Sequence, residues 1–276
     1  MWKPALSIRI AESPRDKSRL AAPIGHILDL ARDAGIQGIS MRASGVSVTS
    51  SHAEVRAVAR EVHQRGLSVS MVTGDLALAI NNHQATAAIR GIQPYLALSE
   101  MLGARLVRIM VHTDDDIPYV QRAADLARER GISLVQQTHW GSLAETVDDA
   151  LYLMHRIGRS NVGLTFEPAN LLAAGSAYSG DAIKRLAPHL LNVYFQNVCL
   201  DEASPIKFAT KTKGGVGVRF APLVCAEGID VRPIVSALRE VGYDSWFTVH
   251  QPLLPGQTLA KAVMAAGQFL TEASSH

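Results

Sequence analysis

The sequence predicts an α/β protein folded as one closed, eight-stranded parallel (β/α)8 barrel. Three observations predict it. Short aliphatic or β-branched runs alternate with longer amphipathic stretches from one end of the chain to the other, the pattern of a parallel sheet covered by helices. Eight such runs occur, the number that closes this type of barrel. The chain has 276 residues, 47% hydrophobic and 19% charged, which suits one barrel of about 250 residues with an aliphatic core. Residues 1–276 are therefore expected to form a single domain.

The first strand is expected at 5–10 (ALSIRI), with a helix at 24–34 behind it. The second, Gly38–Arg42 (GISMR), precedes a helix at 53–64, and the third, 67–72 (LSVSMV), precedes one at 84–101. LVRIMV at 106–111 and SLVQQT at 133–138 give strands four and five, with helices at 118–130 and 143–157. Strand six is VGLTF at 162–166, strand seven LNVYFQ at 191–196 and strand eight WFTVH at 246–250, with helices at 181–186, 229–241 and 259–271. Each helical stretch repeats apolar residues at i, i+3, i+4 and so has one buried face. Gly66, Gly103, Gly131 and Gly242 stand just after helical stretches and before strands, where a left-handed residue ends a helix. The one long non-helical insertion, 198–227, is expected to be functional. Its Gly214, Gly215 and Gly217 suggest a pliable lid, but no helix begins directly after the GGVG run as phosphate cradling would need.

Composition excludes several classes. Lys and Arg total 27 against 25 Asp and Glu, without a long basic run, which disfavours nucleic acid as the main partner. Cys199 and Cys225 are the only cysteines and lack the spacing of a zinc knuckle or a disulfide framework. No apolar stretch reaches the roughly 18 residues of a membrane span, and the N-terminus lacks a signal-peptide core. These features predict a cytoplasmic protein with no membrane partner.

In a barrel of this kind, inward-facing side chains at the C-terminal strand ends line the pocket. Here that set is polar: Arg42, Thr73, His112, Gln137, His139, Trp140, Glu167, Asn170, Tyr194, Gln196, Asn197, His250 and Gln251. A histidine or carboxylate at a strand end is often only hydrogen-bonded in place, but packing does not explain so many polar choices together. Glu167 follows a buried strand directly and precedes Pro168, so burial would raise its pKa towards neutrality. His250, with an ordinary pKa near 6.5, is the second acid/base candidate. Lys207, Lys211, Lys213 and Arg219 could hold an acidic or phosphorylated group, or be a solvated loop face.

At these residues the chain resembles the xylose-isomerase-like barrel superfamily, which includes sugar isomerases, sugar 3-epimerases, inosose dehydratases and endonuclease IV. GISLVQQTHWGSL is similar to the family's strand-five segment with Glu-Thr-His, and NVGLTFEPANLLAAG to its Asp-Pro-x-Asn or Asp-Pro-x-His segment. LNVYFQNV is similar to its Val-His-x-Lys-Asp strand, and IVSALREVGYDSWFTVH to its last helix and final strand. The resemblance implies a divalent metal held by Glu, Asp, His and Glu. Those four positions read Gln137, Glu167, Tyr194 and His250, and Gln196 and Asn197 replace the Lys-Asp pair. Three carboxylates fall to one, so Mg²⁺ or Mn²⁺ affinity should collapse. No cofactor is therefore expected. The alternative is a re-sited transition metal on His112, His139, Glu167 and His250.

The functional expectation is a sugar or polyol-like carbonyl isomerase, epimerase or related lyase that moves a proton beside a carbonyl. Glu167 and His250 would be the acid/base pair. Arg42, His112, Gln137, His139, Trp140, Asn170, Tyr194, Gln196 and Lys207 would bind and orient a sugar-like substrate. The competing expectation is a non-catalytic ligand-binding relative, or the partner subunit of an active barrel; a homo-oligomer is also compatible. DNA repair in the manner of endonuclease IV is disfavoured, because it needs more histidines and carboxylates around several metals.

Overall fold

A computed structural model describes residues 2–13 and 15–275. Eight parallel strands form a closed barrel: β1 (Lys3–Ser7), β2 (Gly38–Arg42), β3 (Ser68–Thr73), β4 (Leu106–Ile109), β5 (Ser133–Gln137), β6 (Val162–Phe166), β7 (Leu190–Phe195) and, after three intervening strands, β11 (Trp246–Val249). Neighbours follow chain order, and closure comes from Lys3 opposite Trp246 on one side of β1 and Ala5 opposite Gly38 on the other. The expected barrel is the observed fold.

The main core lies between barrel and helices, where Leu6, Ile39, Val107, Leu134, Leu164, Val193 and Phe247 face the helical layer. The barrel interior is different. Met71, Leu106, Val135 and Tyr194 form a small apolar cluster there, beside a polar chain in which Thr248 donates to Asn192 at 3.0 Å and Asn192 to Thr165 at 3.3 Å. Alternation of side chains along each strand separates the two environments.

Helix limits follow local chemistry. His52–Gln64 starts at a reciprocal capping box between Ser51 and Glu54, and Val147–Ile157 at one between Thr146 and Asp149, four residues later than expected. All four anticipated glycine stops have left-handed backbone, with φ between 64° and 71°. The expected helix at 84–101 is divided: a 3-10 turn at His83–Thr86 and a short helix at Ala87–Arg90 end at Gly91, and Gln93–Met101 begins anew. Pro94 is the cause, since it suits a first turn and not a helix interior.

Three further corrections concern the C-terminal mouth of the barrel. The first strand stops at Ser7, whose hydroxyl accepts from the Arg9 amide at 3.3 Å, and Ile8–Ala11 becomes a 3-10 turn. Two short helices missed by periodicity, Leu76–Ile80 and Pro168–Ala174, stand in the loops after β3 and β6. The 198–227 insertion is not a pliable loop: β8 (Val198–Leu200), β9 (Lys207–Thr210) and β10 (Gly214–Phe220) pair antiparallel in the order β8-β10-β9. Asn197 and Gln251, expected in the pocket, instead tie this insert down. Asn197 donates to the Pro222 and Leu223 carbonyls at 3.0 Å, and Gln251 to Ala221 at 2.6 Å.

Gly267 shows how closely the helical layer is packed. A Cβ there would lie 2.1 Å from the Ala34 carbonyl oxygen, so Leu259–Ser275 could not keep its seat on Ile24–Asp33. Gly267→Ala should therefore destabilise the fold by roughly 1–3 kcal/mol despite alanine's better helix propensity. Urea unfolding checks this; an unchanged midpoint would show that the two helices separate freely.

Candidate functional site

The mouth of the barrel is a cavity of about 840 Å³. Seven of the expected binding residues line it, namely Arg42, Gln137, His139, Trp140, Asn170, Gln196 and Lys207, together with His250. The structure also brings in Arg9, Glu12, Asn81 and Arg108, which sequence reasoning missed. Arg9 and Arg108 were hidden inside runs read as plain strand, SIRIA and LVRIMV. An arginine within an otherwise aliphatic strand was the available signal, because such a residue is rarely buried without a purpose.

Each guanidinium is held differently. Arg42, at the end of β2, forms a fork with Glu12, Nε to Oε1 at 2.6 Å and Nη2 to Oε2 at 3.2 Å, and donates to the Ala79 carbonyl at 3.0 Å. Arg9 donates to Gln196 Oε1 at 2.7 Å and to the His250 carbonyl at 3.2 Å. Arg108, within β4, donates to Asn81 Oδ1. Asn81 is the one non-glycine residue, among those described, with left-handed backbone (φ 54°), a conformation asparagine tolerates and sites exploit. Its amide in turn meets His139 Nε2, while His139 Nδ1 donates to the Trp140 carbonyl at 2.7 Å. Trp140 stacks on Phe208 of β9, centroids 5.8 Å apart, so the inserted sheet supplies an apolar wall.

Glu167 ends β6 in the deepest layer and is fully buried. Its amide donates to Thr138 Oγ1 at 2.8 Å, and its Oε2 accepts from Gln137 Nε2 at 3.3 Å. It does not itself line the cavity, whereas Gln137, which donates to it, does. Burial pushes the Glu167 carboxyl up to about 8, against the opposing pull of Arg9 and Arg108. Burial, then Arg9, Arg42 and Arg108, holds His250 well below the ordinary histidine range. His139 is lowered to about 3, first by burial and then by Arg108. Both imidazoles are thus neutral at pH 7, while Arg9 and Arg108, lowered by burial to about 10, remain charged.

Two expected binding residues are elsewhere. Tyr194 is fully buried under the cavity floor, its ring stacked on His250 at 4.0 Å and 5° and its hydroxyl paired with Ser40 at 2.7 Å. His112 has both ring nitrogens near loop carbonyls, Gly141 at 3.1 Å and Asn82 at 3.2 Å, and serves as a tie between loops.

These positions also decide whether a metal fits. Among the described residues, no group of three or more His, Cys, Asp or Glu is placed to hold one, so the re-sited set His112, His139, Glu167 and His250 is not brought together. At the family positions, Tyr194 is committed to Ser40 and its ionisation is raised by burial. Gln137 is neutral, and guanidiniums act on both groups that remain, Arg9 and Arg108 on the Glu167 carboxyl and Arg9, Arg42 and Arg108 on the His250 imidazole. Gln137 Oε1, Glu167 Oε1 and His250 Nδ1 make no hydrogen bond among the described residues, but a dication between them would face Arg9 and Arg108. The donor set does not fit the family's divalent metal.

The geometry defines a closed barrel with a polar, cation-rich mouth, and comparison with known proteins places its family. The chain belongs to the xylose isomerase-like TIM barrel family, which it matches over residues 28–270, a family of sugar-modifying enzymes. It is 26% identical over 136 residues to an inosose dehydratase from Geobacillus thermodenitrificans; the match covers 47% of this chain and only 44% of that relative. Among solved structures it resembles a probable 3-DHS dehydratase of petrobactin synthesis from Bacillus anthracis (TM-score 0.72, 17% identity, 98% of both chains). A xylose isomerase-like barrel from Mycobacterium smegmatis, in complex with magnesium, is similar at TM-score 0.69 and 18% identity over 99% of this chain and 98% of that one. At these identities the structures speak for the fold. No helix among the described residues is long and apolar enough to cross a membrane.

Proposed function

We propose that the protein is a lyase or isomerase of a polyhydroxylated carbonyl compound, acting by proton transfer at the carbon beside the carbonyl. The observation that carries this reading is Glu167: a single carboxyl at the end of β6, fully buried, directly behind Gln137, and poised by burial near pH 8. Such a group exists in both protonation states close to neutrality, as a general acid/base must. Gln137 has to turn aside for it to meet substrate. His250, neutral and stacked on Tyr194, would orient the carbonyl as a hydrogen-bonding group and not as a base. That reassigns one half of the acid/base pair expected from sequence. Elimination of water is favoured over epimerisation by the relatives named as dehydratases.

The test is proton NMR in D₂O with the purified chain and a panel of cyclic and acyclic hydroxyketones, including inososes and 3-dehydroshikimate, with and without chelator. Exchange at the carbon beside the carbonyl, or loss of water, is expected for at least one compound and should survive chelation. Absence of both across the panel would favour the second reading, a ligand-binding barrel, which the closed position of Glu167 supports.

A further inference from the structure

The charge of the mouth is opposite to what a metal-binding sugar site needs. Arg9, Arg42 and Arg108 lie close enough that Arg108 feels both Arg42 and Arg9, and Arg9 feels Arg42. The only carboxylate paired with any of them, among the described residues, is Glu12. Even with Glu12 and Glu167 both ionised, one guanidinium charge has no counter-charge. Desolvated cations are seldom left so unless something anionic completes them. Arg42 and Arg108 are each 1% exposed, and Arg42 Nη1 and Arg108 Nε make no hydrogen bond among the described residues. Lys17 and Lys207 add positive charge at the rim, where Arg219 is paired with Glu227 at 3.1 Å and lies 4.0 Å from Asp201. The whole chain carries only +2, so the excess is local.

We propose that the site takes an anion: a small polyhydroxylated molecule bearing a carboxylate or a phosphate, whose charge lies against Arg9, Arg42 and Arg108. The inference rests on the reading that this mouth is the substrate site, and it names the substrate class. Guanidinium forks match both oxyanions with paired N–H donors. The rim cations would raise the local concentration of such a substrate. Replacement of two of the family's carboxylates by Gln137 and His250, and of its histidine by Tyr194, is then one half of a change whose other half is the arginine cluster: a site for a cation has become a site for an anion.

Calorimetry in phosphate-free, low-salt buffer tests it with matched probes: quinate against myo-inositol, glucose 6-phosphate against glucose, and inorganic phosphate alone. At least one anion should bind tenfold or more tightly than its neutral counterpart, and added salt should shrink that preference. The pair that shows it identifies carboxylate or phosphate. Arg108→Gln and Arg9→Gln, with folding verified by circular dichroism, should each lower anion affinity about tenfold or more and leave neutral polyols unaffected. Equal binding of charged and neutral probes, no binding of any anion at millimolar concentration, or a preference intact in both variants would overturn the inference. Repeating the titrations in Glu167→Gln separates the two proposals. Anion preference there stands whether or not Glu167 moves the proton, and its absence leaves the proton-transfer reading to its own assay.

Discussion

Glu167→Gln is expected to lower turnover of whichever hydroxyketone the exchange assay identifies by roughly 10²–10⁴-fold, the usual contribution of a positioned acid/base group, while making the protein more stable at alkaline pH. The two effects have one origin. In the unfolded chain a glutamate ionises near pH 4.5; in the fold, burial raises Glu167 to about 8. Between those values the unfolded state releases a proton that the folded state keeps, so wild-type stability falls as pH rises from about 4.5 to about 8 and then levels off. The accumulated cost is on the order of 5 kcal/mol. Gln137 can still donate to the amide oxygen of the variant, so the pair is kept without the titration. Melting curves of both proteins should agree closely at pH 5 and diverge at pH 8, with the variant higher. Wild-type kcat/KM should rise with pH through about 8 if the carboxylate is the base. A variant with wild-type turnover would remove Glu167 from the reaction, and equal pH dependence of stability would show that its carboxyl is solvated.

Glu12→Gln should destabilise the fold by roughly 3–5 kcal/mol, the cost of stranding one member of a buried ion pair. Glu12 is 5% exposed and Arg42 1%, and the carboxylate takes both arms of the Arg42 fork and the Ser44 hydroxyl. Without it, Arg42 stays desolvated with Arg9 and Arg108 nearby. The double variant Glu12→Leu with Arg42→Met should regain much of the loss, since a buried pair contributes little net stability against well-packed apolar residues. Chemical denaturation of the three proteins checks this. A loss below about 0.5 kcal/mol in Glu12→Gln would mean that the pair is effectively at the surface.

Much of the fold was legible because each barrel element satisfies a local rule. VGLTF and WFTV are apolar enough to be buried strands, and Gly66, Gly103, Gly131 and Gly242 mark helix ends through the one backbone conformation that favours glycine. Errors fell where a local signal was overridden. Ser7 turns β1 into a 3-10 segment, Pro94 divides a helix whose periodicity runs through it, and Gly215 and Gly217 of β10 are held in a strand by pairing with β9. At the mouth, strand ends predicted which residues gather, since a closed barrel converges its strand termini on one face. Depth was not predictable. Tyr194 and Gln196 are two positions apart on β7 and its end, yet one lies under the floor and the other in the cavity.

The sequence by itself determined the barrel, the polar character of its mouth and the loss of the family's carboxylates, because periodicity and residue type are properties of the chain alone. Only the tertiary structure decided that Arg9, Arg42 and Arg108 converge there and that Glu167 is sealed behind Gln137. It likewise decided that Tyr194 and His112 serve packing and loop anchorage. Proximity and desolvation arise from residues as distant in sequence as Arg9 and His250, and those two quantities set the charge states on which the chemistry depends.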